Sequence, residues 1–552
     1  MRYARYPELL FILSSVKKQK FAPQTGINNI SRLRELQLNS SLFLSKIGPM
    51  VTMMKHSTIL FLLLLLTLNT TNIFAANYYV KSDGNDSSNG TSDATAWKSI
   101  NKVNKFTFKA GDDVYFKSGD TWKLKKLTIK WSGTEKNRAI IGAYYLQDGK
   151  EIIGLKSNSN RPIIAGGYIS STNIGTVPSS PYSGLILVKT GSYVTIQNLH
   201  IKDSSGYGIA VGSGNNINNI IENNYVTHTV GSLIFAYEGS NNTTIRNNLG
   251  QQCAWSVYDK IKPYNSHPGC IVIHKSSYAL IENNSIYELY GEGIAIFDDA
   301  NYNKVKGNLI ANSHQISIYI ENSNNNLIES NMILGDGDPN SRGSSGIGVA
   351  VESNTKNNIF GTYNNIIRNN LVAGTYNCLV SFIEGLSVTH GATTSGKFIG
   401  NTCVGLESGV NFVGKASKFG TWEVANNIFH DLNNELYRCS APTDSKISFH
   451  HNSWEFHPSK SQCIGAGDVA GNPKLVTTSD FRLFSYSNQP LPSDFKPQAT
   501  SPAIGQGKAV NELSQDYSKQ LRPSSPTIGA LEFSRLTNAI TPPLGLRIIG
   551  LN

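Results

Sequence analysis

The chain has 552 residues, of which 39% are hydrophobic and 16% charged. That composition supplies a long apolar core and excludes general disorder, a fibrous protein or a membrane bundle. The formal charge of +11 is concentrated at the start: residues 1–53 carry eight Lys and Arg against Glu8 and Glu35, Lys55 adds one more, and the remainder carries only +4. A balance that mild gives no reason to expect nucleic acid as a partner.

Residues 1–53 read as a leader or an over-extended start outside the fold. Met54-Lys55-His56 then precede an apolar run from Ile59 to Leu68 and the small pair Ala75-Ala76. A basic n-region, a short h-region and a small-residue cleavage site describe a secretory signal peptide over 54–76. The run is short for a membrane span, so a signal anchor is the weaker alternative. The expectation is a protein secreted, periplasmic or on the cell surface, with no stable membrane insertion once the signal is removed. Residues 77–190 read as an N-terminal cap and first coils, 191–475 as central repeats, 476–533 as a closing segment and 534–552 as a tail.

The repeats carry the strongest signal. Short apolar triplets run into an Asn at Asn198 and then at Asn224, Asn248, Asn284, Asn308, Asn331, Asn370, Asn401, Asn427 and Asn452, with a floor of 23 to 26 residues between them. Larger separations mark coils with inserted loops. A second strand follows in each coil: YGIAV, LIFAY, CIVIH, GIAIF, ISIYI, IGVAV, CLVSF and GVNFV. These alternate, are rich in β-branched and aromatic residues, and are bounded by Gly, Asn and Ser. Amphipathic stretches of helix length are missing. A repeat of this period with strands alone predicts an all-β, single-stranded parallel β-helix of about ten or more coils. Stacking would place each Asn about 4.7–4.9 Å from its equivalents, in a ladder that satisfies buried amides and is structural rather than catalytic.

All six cysteines (Cys253, Cys270, Cys378, Cys403, Cys439 and Cys463) follow the signal and match no zinc spacing. In an oxidising compartment Cys253–Cys270 and Cys439–Cys463 are expected disulfides, with buried thiols as the alternative.

The stretch YYVKSDGNDSSNGTSDATAWKSINKV with KAGDDVYFKSGDTW, and the late runs DFRLFSYSN, TSPAIGQGK and PTIGALEF, resemble the two ends of the pectate-lyase-like right-handed parallel β-helix superfamily. The resemblance covers roughly residues 77–533 and implies a right-handed solenoid with a capped end, usually an exported carbohydrate-active protein. It implies no particular reaction, because that superfamily holds lyases, hydrolases, epimerases and non-catalytic adhesins. Asp298-Asp299 follow the strand GIAIF instead of preceding one, and His314 lies in NSHQI without flanking Gly, so the polygalacturonase pattern fails. The Asp-Pro-His run of mannuronan epimerases and the Arg-His-Gly run of chondroitinase-B-like alginate lyases are absent.

Aligned by their following turns, the second strands place Glu238, His274, Asp298, Glu321, Glu352 and Glu384 in one column, with the apolar Ala236, Val272, Ile296 and Phe382 at adjacent outward positions. Close carboxylates repel and raise one another's pKa. The column is relieved by a hard cation such as calcium on Glu238, Asp298, Glu321 and Glu352, by proton sharing suited to catalysis through Asp298, Glu321 and His274, or by splaying into solvent. A second column seven residues earlier holds His267 and His314, with Tyr290, Glu292 and Tyr319 beside it. The inserted loop QQCAWSVYDKIKPYNSHPGC offers Trp255, Tyr258 and Tyr264 for sugar stacking, and Lys260 and Lys262, with Arg342 of the next insertion, for a uronate carboxylate.

A monomeric enzyme on an acidic polysaccharide follows from these features, a lyase or epimerase with His267 or His314 as base standing slightly ahead of a glycoside hydrolase. The alternative is a non-catalytic surface protein whose solenoid displays loops to glycans or host surfaces.

Overall fold

A computed structural model describes residues 75–533 apart from 168–183, 213, 255–268, 336–344, 354–360, 386–392, 435–437, 478, 479, 481 and 483–487. One circuit of chain runs through strands Val194–Gln197, His200–Ser204 and Tyr207–Val211, and the next begins at Ile220–Glu222. Corresponding strands of successive circuits pair in parallel. They build three sheets of 14, 13 and 11 strands, called first, second and third here in the order that the chain visits them. The architecture is the expected parallel β-helix.

The core follows from period-two strands stacked in register. Ile196, Ile221, Ile245, Ile281, Val305, Ile328 and Ile367 are consecutive partners across the first sheet, and all are essentially without solvent contact. Each fully buried aliphatic side chain contributes on the order of 1.5–3 kcal/mol.

At the corner after the first sheet, the Asn ladder forms from Asn224 to Asn452. Each side-chain amide donates to the Oδ1 of the next Asn at 2.9–3.1 Å. Each Oδ1 also accepts the backbone N–H of the Asn one coil before, as Asn308 does from Asn284 at 2.9 Å. Asp468 ends the ladder, accepting from the Asn452 backbone at 2.7 Å and from the Trp454 indole at 3.0 Å. Asn198 is not its first member. Leu199 stands in the ladder position, donating its N–H to Asn224 Oδ1 at 3.2 Å, while Asn198 takes the preceding left-handed position with φ of 64°.

The last residues of six successive first-sheet strands are Glu222, Arg246, Glu282, Lys306, Glu329 and Arg368, directly in register. Their signs alternate, with ion pairs Arg246–Glu222 at 2.6 Å, Lys306–Glu282 at 3.2 Å and Arg368–Glu329 at 2.6 Å.

The N-terminal end is sealed by the short helix Ile100–Lys105, capped by Ser99, with Ile100 and Val103 turned into the core. Tyr78, Trp97, Phe106, Phe108 and Trp131 pack around it, the Tyr78 and Trp97 rings 4.9 Å apart. Toward the other end the chain doubles back over the outside of the second sheet, where Phe495, Tyr517, Ile528 and Leu531 pack with Met332, Leu371, Val404 and Ile428. Arg522 pins this strap. Its guanidinium pairs with Glu532 at 2.7 Å with both side chains almost wholly buried, and it donates to the carbonyls of Thr527 and Gly529 and to Asn369 Oδ1.

Cys253–Cys270 and Cys439–Cys463 are disulfide-bonded as expected, and Cys378–Cys403 forms a third pair not foreseen from spacing. Segments that lengthen the repeat adjoin third-sheet strands in sequence: 168–183 and 255–268 precede Gly184–Val188 and Gly269–His274, 336–344 and 354–360 flank Ile347–Ser353, and 386–392 follow Asn377–Gly385. Insertions in solenoids collect where function is built, and the strap already occupies the outside of the second sheet.

Candidate active site

The third sheet does hold the carboxylates, but not in one column. Strand register aligns His274 with Phe297, Phe297 with Glu321, Glu321 with Ala350 and Ala350 with Phe382. Asp298 lies one residue beyond Phe297. Glu352 pairs with Glu384, two residues beyond Ala350. Strands of different length end at different heights, so alignment by the following turn shifts the rows by one or two residues. Ala236 and Ile296, expected to face outward, belong instead to the coil interior.

Offset strand ends bring part of the set together diagonally. His274 Nε2–H donates to Asp298 Oδ2 at 3.0 Å, and the carboxylate, which can only accept, fixes that tautomer. The Asn322 amide donates to Asp298 Oδ1 at 3.3 Å and to Glu321 Oε1 at 2.9 Å. The same nitrogen also donates to the Glu352 carbonyl, so one of its two N–H groups is shared between acceptors, while the amide oxygen accepts the Glu352 N–H; both contacts anchor the amide to the next coil. Asn322 is itself buried, at 2% exposure. Its left-handed backbone, φ of 49°, lets it turn out of the strand directly after Glu321. Tyr319, two residues earlier, donates its hydroxyl to Glu352 Oε1. Gly348 lies beside that ring: a Cβ there would stand 2.9 Å from Tyr319 Cδ2.

Two carboxyls held by one amide are driven in opposite directions. The hydrogen bond from His274 holds Asp298 below the usual carboxylate range, against the opposing effect of burial and with help from Asn322. Burial first, then the charges of Glu352 and Asp298, push Glu321 up to about 8. Near neutral pH the pair therefore offers one carboxylate and one carboxylic acid. Both side chains are partly exposed. Glu292 is 7% exposed and is raised well above the ordinary value, by burial and by Glu321 and Glu352. Tyr319 is raised too, by burial and the same carboxylates, and so stays a phenol. The arrangement can donate a proton from Glu321 while Asp298 acts as a base or nucleophile, the separation of roles that acid–base sites require.

The other site expectations fare unevenly. Glu292, expected to bind substrate, belongs electrostatically to the carboxylate cluster. Glu238 is exposed and continues the row of Lys275. Glu238, Asp298, Glu321 and Glu352 do not form the expected cation site: no group of three or more His, Cys, Asp or Glu among the described residues is placed to hold a metal ion. His274 and Asn322 already engage Asp298, and Tyr319 engages Glu352. His314 is exposed and stacks on Tyr290, ring centroids 5.7 Å apart, so its row partner is Tyr290. Trp255, Tyr258, Lys260, Lys262, Tyr264, His267 and Arg342 lie outside the described residues. Sequence reasoning missed Asn322, the residue that joins the acid to the base. Its signal was an Asn directly after Glu321, at a strand end where a left-handed residue is required.

A family model for the right handed beta helix region matches residues 94–258 and 252–429. The chain belongs to this family. The right-handed β-helix also resembles the solved structure of XylC in complex with xylose, at 11% identity over 83% of this chain and 98% of that one, with a TM-score of 0.51. That of pectate lyase Pel9A is similar over 83% of this chain and 96% of that one, at 16% identity and a TM-score of 0.49. At these identities the likeness is one of fold. Among curated proteins, the lacto-N-biosidase of Bifidobacterium longum subsp. longum is 33% identical over 140 residues. That match covers 24% of this chain and 8% of the length of that relative.

Proposed function

We propose that this right-handed β-helix protein is an exported carbohydrate-active enzyme that hydrolyses glycosidic bonds in a polysaccharide or oligosaccharide, with Glu321 as general acid and Asp298 as its carboxylate partner. One observation carries it: a raised and a lowered carboxyl share the Asn322 amide. Two oxygens within hydrogen-bond reach of one nitrogen lie close together. That favours the separation of about 5–5.5 Å used in double displacement over the roughly 6.5–9.5 Å that admits a water, so Asp298 serves as nucleophile and configuration is retained. The partial likeness to a lacto-N-biosidase is consistent with action on carbohydrate. Export is supported by the n-region, apolar run and Ala pair of residues 54–76 and by three disulfides, which belong to oxidising compartments. Among the described residues no helix is long and apolar enough to cross a membrane.

Elimination, expected from the sequence to stand slightly ahead, draws less support. It needs a base beside a neutralised uronate. Tyr319 is held protonated, and no hydrogen bond or charge coupling among the described residues ties His314 to the cluster. The test is incubation with a panel of neutral and acidic polysaccharides and oligosaccharides, scoring new reducing ends and ultraviolet absorbance from unsaturated ends. Reducing ends without that absorbance, lost in Glu321→Gln, are the expected result. Unsaturated ends would establish a lyase, and no product from any substrate would favour a binding module.

A further inference from the structure

Where the third sheet turns into the first, equivalent residues of successive coils adopt the left-handed conformation: Tyr193, Asn218, Asn242, Tyr278, Tyr302, Asn325 and Asn364, with φ between 55° and 62°. Backbone hydrogen bonds from coil to coil confirm the row, as from Tyr278 to Asn301 and from Tyr302 to Asn324. Asn is the residue that such a position accepts readily, and a bulky aromatic there is an outlier. Tyr193 has the Arg138 guanidinium over its ring at 5.9 Å. Among the described residues, the rings of Tyr278 and Tyr302 stack only on each other: they are nearly parallel, 7° apart in plane and 5.3 Å between centroids. They are 59% and 50% exposed, and no hydrogen bond reaches either hydroxyl among the described residues. Exposed rings gain little from packing, so the fold does not account for them.

Their position does. Tyr278 follows His274 by four residues and Tyr302 follows Asp298 by four, so the two rings sit at the corner next to the carboxyl cluster, on the same two coils. We propose that Tyr278 and Tyr302 form a stacking platform for pyranose units of the chain on which the Asp298–Glu321 pair acts, holding it beyond the bond being cleaved. Pyranose faces present C–H groups to the negative faces of aromatic rings. Tyrosine adds a hydroxyl for the sugar's own, and one coil spacing is comparable with the length of one sugar unit. The carboxylates beside the platform disfavour a nucleic acid. The identity of the ligand rests on the hydrolase proposal, whereas the platform itself does not.

The experiment replaces both tyrosines by the residue that the row otherwise uses, giving Tyr278→Asn and Tyr302→Asn together in a Glu321→Gln background that suppresses turnover. Affinity electrophoresis of both proteins through gels containing each polysaccharide of the panel, with thermal melts in parallel, reads binding and folding separately. Expected is retardation of the Glu321→Gln protein by at least one polymer, weakened about tenfold or more on removing the two rings, with no loss of melting temperature. Equal retardation of both proteins, or none by any polymer, overturns the platform. If the ring-free variant unfolds early, the single variants Tyr278→Asn and Tyr302→Asn decide instead: weaker retardation of a folded single variant supports the platform, and unchanged retardation of both refutes it. Absence of hydrolysis by the unmodified chain, with binding lost in the double variant, leaves the platform standing and removes the hydrolase. Hydrolysis with unaltered binding does the reverse.

Discussion

Glu321→Gln should make the protein more stable above pH 8 while disabling it. Burial and two neighbouring carboxylates hold the Glu321 carboxyl at about 8 against an ordinary 4.5. Between those values the folded protein keeps a proton that the unfolded chain has released, so stability falls as pH rises, by about 1.4 kcal/mol per pH unit. Over the whole window the loss reaches about 4–5 kcal/mol. Below pH 4.5 the carboxyl is protonated in both states and contributes no slope. Glutamine keeps the acceptor for the Asn322 amide and removes the titration. The variant should match the parent below pH 4.5 and gain on it progressively up to pH 8. Stacked coils need not unfold as one unit, so the assay is hydrogen exchange of peptides covering Glu292–Phe297 and Ile318–Glu321, with parent and variant compared at each pH. A difference that does not change with pH would refute the assignment of a raised carboxyl. The same variant should lose hydrolysis by on the order of 10²–10⁴-fold, the typical contribution of a positioned acid.

Asp298→Asn should depress hydrolysis of the same substrate on the order of 10³-fold, and nuclear magnetic resonance of fresh product should show retained anomeric configuration in the parent; inversion would refute the close pair. His274→Ala removes the main influence lowering Asp298, so the acid limb of the pH–rate profile should move to higher pH, and an unmoved limb would exclude His274 from this role. Asn308→Leu orphans the Asn284 backbone and side-chain donors and the Ile281 carbonyl, at about 3–6 kcal/mol, read as lost exchange protection confined to the neighbouring coils. Arg522→Ala leaves Glu532 buried without its cation, a loss of about 3–5 kcal/mol, and limited proteolysis should then cut within residues 488–533 before the coils.

The solenoid was legible because its signal is redundant: ten Asn-terminated triplets and eight second strands point to the same period. The rows of the third sheet were less so. Register is set by strand pairing between successive coils, whereas turn residues such as Asp298 and Asn322 follow strands of unequal length. A one-residue error there moves a side chain to the opposite face, which is how Ala236 and Ile296 came to be expected outside. Glu292 and Tyr319 were found from their place beside the column of His267 and His314, but their coupling to Glu321 and Glu352 depends on diagonal neighbours across coils. The alternating charges were visible in the triplets IIE, TIR, LIE, KVK, LIE and IIR once aligned. The strap was not, because its partners lie more than a hundred residues away, as Ala530 does from Thr402.

Those alternating charges also restrict how this stretch can lengthen or shorten during evolution. Excising the single coil that carries Arg246 would set Glu222 against Glu282, whereas excising two consecutive coils restores opposition. Each pair, only partly buried, is weak alone, about 0–1 kcal/mol. Yet the sequence of signs works as a parity check, passing duplications and losses that come in twos and penalising odd ones.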